Sequence, residues 1–207
     1  MSKFPLKITS PRGWIAALIA FFVFVVGSDR ALANPRQSLW YASEATDWLA
    51  ALPIGNGDLG AMIHGGVEEE HLSFNVSSLW TGNEIEMGSY QPFGDLYFRQ
   101  AKTTATDYRR ELSLDDSLHS VTYRFGSTTQ QRSAFASHPD RVIVVQFRNS
   151  GPALIQGQLR LTDAHQAKIT TSGATIAATG TLSNGLLYHA QVRVCLLYTS
   201  PSPRDRG

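Results

Sequence analysis

From about residue 59 onward, hydrophobic and polar positions alternate over short runs, and turn-forming residues break those runs at close intervals. A period of two places successive side chains on opposite faces of a pleated strand, so each run reads as a strand with one face for a core. The pattern predicts strands over 59–66 and 71–75, joined by a polar bend at Glu68-Glu69-Glu70 with its carboxylates in solvent. Over 120–125, Val121, Tyr123 and Phe125 alternate with Thr122 and Arg124, and 132–137 places Phe135 among small residues. The β-branched run over 142–147 suits a buried strand. Beyond the turn cluster Asn149-Ser150-Gly151-Pro152, strands are predicted over 155–162, 175–179 and 187–194, with turns at Ser172-Gly173 and Asn184-Gly185. Helical periodicity is weak, and only 46–52 and 98–106 suggest short helices. Strands and turns at this spacing predict a mainly β fold, an antiparallel β-sandwich, with neither repeat nor linker inside 39–194.

The ends of the chain follow other rules. Lys3, Lys7 and Arg12 precede an unbroken apolar or small stretch over 13–26, and Ala31-Leu32-Ala33 has the small-x-small form that signal peptidase accepts. The run falls short of the about 20 residues a membrane span needs. Residues 1–33 therefore read as a secretory signal peptide rather than a retained anchor, with the domain starting at 34 and no membrane contact after cleavage. The expected destination is periplasm, cell surface or medium. At the other end, a good strand gives way in mid-run to residues 195–207. The string Leu196-Leu197-Tyr198-Thr199-Ser200-Pro201-Ser202-Pro203-Arg204-Asp205-Arg206 resembles sequencing-adapter DNA translated in frame. The expectation is a non-native tail on a truncated domain spanning 34–194, against the plainer alternative of a Pro/Arg-rich disordered tail.

Composition narrows the classes. At 43% hydrophobic and 17% charged, the 207 residues have a globular make-up. The formal charge is +1, and its cationic surplus sits at the two ends, leaving a mildly acidic body with no electrostatic case for nucleic acid. Cys195 is the single cysteine, so an exported fold must rest on its core rather than on disulfides.

Few motifs carry chemistry. The block from Gly55 to Gly60 fits G-x-G-x-x-G, but Pro53 precedes it and a strand-like run follows, so it reads as a tight glycine turn. Asp115 and Asp116 stand in another turn, and no pair of acids has a setting suited to glycosidase chemistry. His64, His71, His119, His138, His165 and His189 are scattered without metal-ligand spacing, and no serine-hydrolase elbow appears, so neither a metal nor another cofactor is expected. The aromatics Trp40, Tyr41, Trp48, Trp80, Tyr90 and Phe93 gather early in the body, where they serve either a core or sugar stacking.

One block is more specific. Leu39-Trp40-Tyr41, followed by the run from Asp47 through Pro53-Ile54-Gly55-Asn56-Gly57-Asp58 to Met62, resembles glycoside hydrolase family 95, which includes 1,2-α-L-fucosidases. The likeness continues through 65–68, 72–75, 78–82, 108–115 and 135–144, and covers essentially 39–194. The resemblance implies a large N-terminal β-sandwich, here incomplete, followed by a linker, an (α/α)6 barrel and a C-terminal β-domain. It implies hydrolysis of α-L-fucosyl linkages in glycans with inversion, without a metal, by residues of the barrel. None of those positions has a counterpart here, so no catalytic residue is carried over. From their place in the resembling blocks, Asn56, Asp58, Asn75 and Trp80 are expected to hold the sandwich against the barrel or to rim its pocket. A free-standing carbohydrate-binding module and a purely structural interaction domain are the competing readings.

Overall fold

The computed structural model describes residues 37–151 and 153–195. The leader expected over 1–33, and all but Cys195 of the expected tail, lie outside them. The described residues fold into three antiparallel sheets, numbered here along the chain. The first has the order β1 (Ser38–Tyr41), β6 (Thr106–Ser113), β7 (Leu118–Phe125), β8 (Thr128–Ser137), β9 (Val142–Ser150). The second runs β10 (Gly157–Asp163), β5 (Gly94–Gln100), β4 (Glu69–Val76), β3 (Leu59–Ile63), β2 (Leu52–Gly55). The third is a meander of β11 (Lys168–Ser172), β12 (Thr175–Thr181) and β13 (Leu187–Arg193). Among the described residues no helix is long and apolar enough to cross a membrane.

The first two sheets form the expected sandwich, because the alternating apolar positions of each need cover that only the other supplies. Leu52, Ile54, Ala61, Ile63 and Leu72 of the second sheet close on Leu112 and Ala134 of the first, with Ile143 and Val145 of β9 packed beside them. Each such leucine or isoleucine contributes about 1.5–3 kcal/mol of transfer free energy. The third sheet covers another part of the second. Leu182 and Tyr188 join Leu79 and Phe93 against Phe74 and Val76.

Both predicted helices are corrected. Residues 98–106 hold the end of β5, a connection and the start of β6. The β5 strand is paired on both sides, with β4 and with β10, and two complete ladders outweigh a weak local preference. Over 46–52 only a 3-10 turn forms, at Trp48–Ala50, where the Asp47 carboxylate caps Ala50 N–H at 3.1 Å. Leu52 and Ile54 then enter the core as β2, an extension that Pro53 also favours in the residue before it. The strands β1, β2, β5, β6 and β11 were not foreseen.

The solvated bend expected at 68–70 is half right. Glu68 is half-buried and meets Arg99 at 3.3 Å, but Glu70 is a fully buried member of β4. Its carboxylate accepts from Gly65 N–H at 2.8 Å and from Arg132 Nη1 at 2.9 Å, so the ion pair joins the two sheets through the core. Arg132 also donates to the carbonyls of Gly66 and Val67 and to the Tyr123 hydroxyl, and that hydroxyl donates to Gln130. Burial pushes the Glu70 carboxyl up while Arg132 pulls it down. Gly66 is required here, since a Cβ would fall 2.0 Å from the carbonyl oxygen of Glu69.

Candidate functional site

The β2–β3 hairpin ends its ladder at Gly55 opposite Gly60, and the four residues between turn the chain. Gly57 takes φ +91°, a backbone that costs glycine little and other residues more. Asn56 fixes the turn. Its Oδ1 accepts from the backbone N–H of Asp58 at 3.0 Å and of Leu59 at 2.7 Å. Its Nδ2 donates to the Ser137 carbonyl at 2.7 Å, which ties the hairpin to the end of β8. The glycine block is thus a tight turn in a β-hairpin, as the sequence indicates.

Asp58 draws in two more segments. Its Oδ1 accepts from the Ser77 hydroxyl at 3.1 Å and its carbonyl from Ser77 N–H at 2.8 Å, at the end of β4. Its Oδ2 accepts from both Nε and Nη2 of Arg141, just before β9. Arg141 has the left-handed backbone, φ +54°, that aims its side chain back at the hairpin. The hydrogen bonds from Arg141 and then Ser77 hold the Asp58 carboxyl below the usual carboxylate range, and His138 adds to the effect. Asn75 lies opposite Gly60 in the β3–β4 ladder, and its Oδ1 accepts from Val76 N–H at 2.8 Å.

Three segments far apart in the chain, 55–60, 75–77 and 137–141, therefore meet at one rim of the sandwich. All of their residues but Val76 and Ser77 belong to the blocks that carry the resemblance. Trp80 stands apart from this cluster. It bridges to Tyr90 with rings edge to face, centroids 4.6 Å apart, and its carbonyl accepts from Asn184 Nδ2 at 3.0 Å beside the third sheet. The structure so brings together Asn56 and Asp58, places Asn75 one rung away, and assigns Trp80 to another corner. Ser77, Ser137 and Arg141 complete the rim. Sequence reasoning missed them because their partner is set by folding alone.

The rim's bonds hold its shape, and Asp58 is not suited to be a general acid. General acid catalysis needs a carboxyl kept neutral near working pH, and Asp58 is held charged with both oxygens taken. Among the described residues the carboxyl raised above its ordinary range is Glu70, sealed in the core. A second polar group lies on the outer face of the second sheet, where His71 Nε2 and the Ser73 hydroxyl both meet Asp95 Oδ1 at 2.7 Å. A Ser-His-Asp relay uses the two different imidazole nitrogens for its two partners. Here Nε2 also faces Ser73, at 3.3 Å, so the geometry is not a relay. No group of three or more potential metal ligands occurs among the described residues.

Residues 39–88 and 84–202 match the family described as glycosyl hydrolase family 65, N-terminal domain. Alpha-L-fucosidase 2 of Arabidopsis thaliana is 32% identical over 154 aligned positions, with 55% of this chain and 18% of that protein covered. A probable alpha-fucosidase A of Aspergillus niger is 28% identical over 219 aligned positions, gaps included, covering 79% of this chain and 27% of that protein. A probable alpha-fucosidase A of Aspergillus oryzae is 24% identical over 168 residues, covering 59% and 23%. The chain thus spans between about a fifth and a quarter of these relatives, and their fucosidase names agree with the resemblance read from the sequence.

Proposed function

Since the chain belongs to the glycosyl hydrolase family 65 N-terminal domain family, we propose that it is the non-catalytic sandwich of a glycosidase that removes α-L-fucosyl groups from glycans. In this reading the catalytic groups come from protein outside the chain, and the Asn56–Asp58 rim fixes the edge that meets them. The convergence of 55–60, 75–77 and 137–141 around one ion-paired carboxylate supports it. A rim tied to β4, β8 and β9 at once resists displacement and can hold a neighbouring pocket wall in place. Asn56 and Asp58 are positioning residues in this account, Asn75 lies beside them, and Trp80 steadies the adjoining corner.

The test uses a full-length fucosidase relative with the aspartate matching Asp58 changed to asparagine, assayed on an aryl α-L-fucoside. The expected result is a raised KM or a lowered kcat with unchanged folding, and partial recovery with glutamate in the same place. Unchanged KM and kcat in a folded variant would sink the reading. The chain by itself is expected to release no fucose from the same substrate.

Export belongs to the same proposal. The basic start, the apolar run and Ala31-Leu32-Ala33 support it. Amino-terminal sequencing of product from an exporting host is expected to begin at Asn34, and a product still starting at Met1 overturns it.

A further inference from the structure

The first sheet carries a second polar surface, unrelated to the rim. Alternation along β7 and β8 sends His119, Val121, Tyr123, Gln130, Arg132 and Ala134 inward. The intervening residues form two straight rows on the outer face. One row crosses all five strands through Trp40, Glu111, Ser120, Ser133 and Gln146. The other crosses four strands through Arg109, Thr122, Gln131 and Arg148. At about 4.8 Å between strands, the longer row extends about 19 Å.

Six of these residues, on β7, β8 and β9, line a groove of about 230 Å³. Among the described residues, the side chains of Ser120, Thr122, Gln131, Ser133, Gln146 and Arg148 have no hydrogen-bond or ion-pair partner. The rim and the buried junction, by contrast, bond their polar side chains to protein groups. At the β1 end of the longer row, Trp40 is 56% exposed, and the Arg109 guanidinium lies 4.5 Å from its ring centre. Arg109 is itself balanced by Glu111 at 2.8 Å. Arg148, at the β9 end, has no such balance.

Hydroxyl and amide groups at fixed strand spacing suit the hydroxyls of a sugar chain, and an exposed indole suits the C–H face of a sugar ring. An uncompensated guanidinium recognises a carboxylate in bidentate fashion. On the same face, Phe135 of β8 and Val142 of β9 are exposed beyond the Ser133–Gln146 pair, on the side away from Arg148. We propose that this outer face binds an extended acidic oligosaccharide, with a uronate-type carboxylate at Arg148 and a sugar ring against Trp40. The site is separate from the rim and from the proposed hydrolytic reaction, and would tether the protein to carboxylated glycan.

The full chain is titrated by calorimetry with a tetramer of α-1,4-linked galacturonate, a tetramer of β-1,4-linked glucose, and poly-L-glutamate, and the acidic tetramer is mapped by amide chemical shifts. The galacturonate tetramer is expected to bind, with shifts on β7, β8 and β9, and the glucose tetramer to bind about tenfold more weakly or less. Arg148→Gln is expected to weaken the acidic tetramer by about tenfold, and Trp40→Ala by several-fold, with thermal midpoints unchanged for the first. No binding of the acidic tetramer overturns the proposal. So do equal affinity of Arg148→Gln, shifts confined to other surfaces, and equal competition by poly-L-glutamate, which would reveal a generic attraction to acidic peptide.

Discussion

On the inner face of β7 and β8, Tyr123, Gln130 and Arg132 bond one another and reach across the core to Glu70, Gly66 and Val67. On the outer face of the same two strands, Ser120, Thr122, Gln131 and Ser133 form level rows without a protein partner. The two faces share a backbone and a register and differ only by one residue of phase. Desolvation makes the inner arrangement obligatory, because a buried donor or charge left unpaired costs far more than its bond contributes. Water relaxes that demand outside, so polar groups there are free to meet a ligand. Polarity inside this sandwich serves the fold, and polarity outside it is available for recognition.

The largest expected effect breaks the inner network. Arg132→Ala strands Glu70 in the core and should cost about 3–5 kcal/mol, read from urea unfolding. Replacing both partners by apolar residues, as in Arg132→Met with Glu70→Leu, should recover much of that loss. If Arg132→Ala costs no more than the outer-face changes below, the contrast between the faces fails.

A second effect comes from His119, also inward on β7. It is 1% exposed, its Nε2 lacks a partner among the described residues, and burial, with Arg110 and Arg132 nearby, lowers its pKa from 6.5 to about 4. Between about pH 4 and 6.5 the unfolded chain binds a proton that the folded chain refuses, so stability rises with pH across that window and is complete above it. The contribution lost on acidification is about 3 kcal/mol at most. Unfolding free energies measured from pH 7 down to 4 should show this slope, and His119→Leu should flatten it. An unchanged slope in that variant would mean that His119 is not the group responsible.

The smallest effect sharpens the outer side. Gln131→Ala and Ser133→Ala should each change stability by less than about 0.5 kcal/mol, since neither side chain has a partner to lose. A loss several times larger would show that those rows are structural after all.

Much of the architecture was legible because it depends on near neighbours. Alternation at Val121-Thr122-Tyr123 and the run through Val142–Phe147 are properties of adjacent residues, and those strands stand where the pattern puts them, although β9 is an edge strand with no buried residue rather than the buried strand expected. The failures had identifiable competitors. The helical hint over 98–106 lost to two ladders formed by β5, and Leu52 was drawn into the core rather than into a helix. The rim was legible in part. Asn56 and Asp58 sit in a block whose glycines announce a turn, but nothing near Arg141 announces that it faces Asp58. Glu70 looked solvated because it follows two other glutamates, yet the phase of β4 turns it inward.

Alone, the sequence determined a β-sandwich class, the phase of several strands and the hairpin turn at Asn56-Gly57. Each follows from side-chain period or backbone freedom within a few residues. The tertiary structure decided which polar residues are satisfied and which are left open. Arg132 reaches Glu70 across 62 positions of chain, and Arg141 reaches Asp58 across 83. Bonds across such separations leave no local trace in the sequence, because they exist only once the sheets have closed and excluded water from one face of each strand.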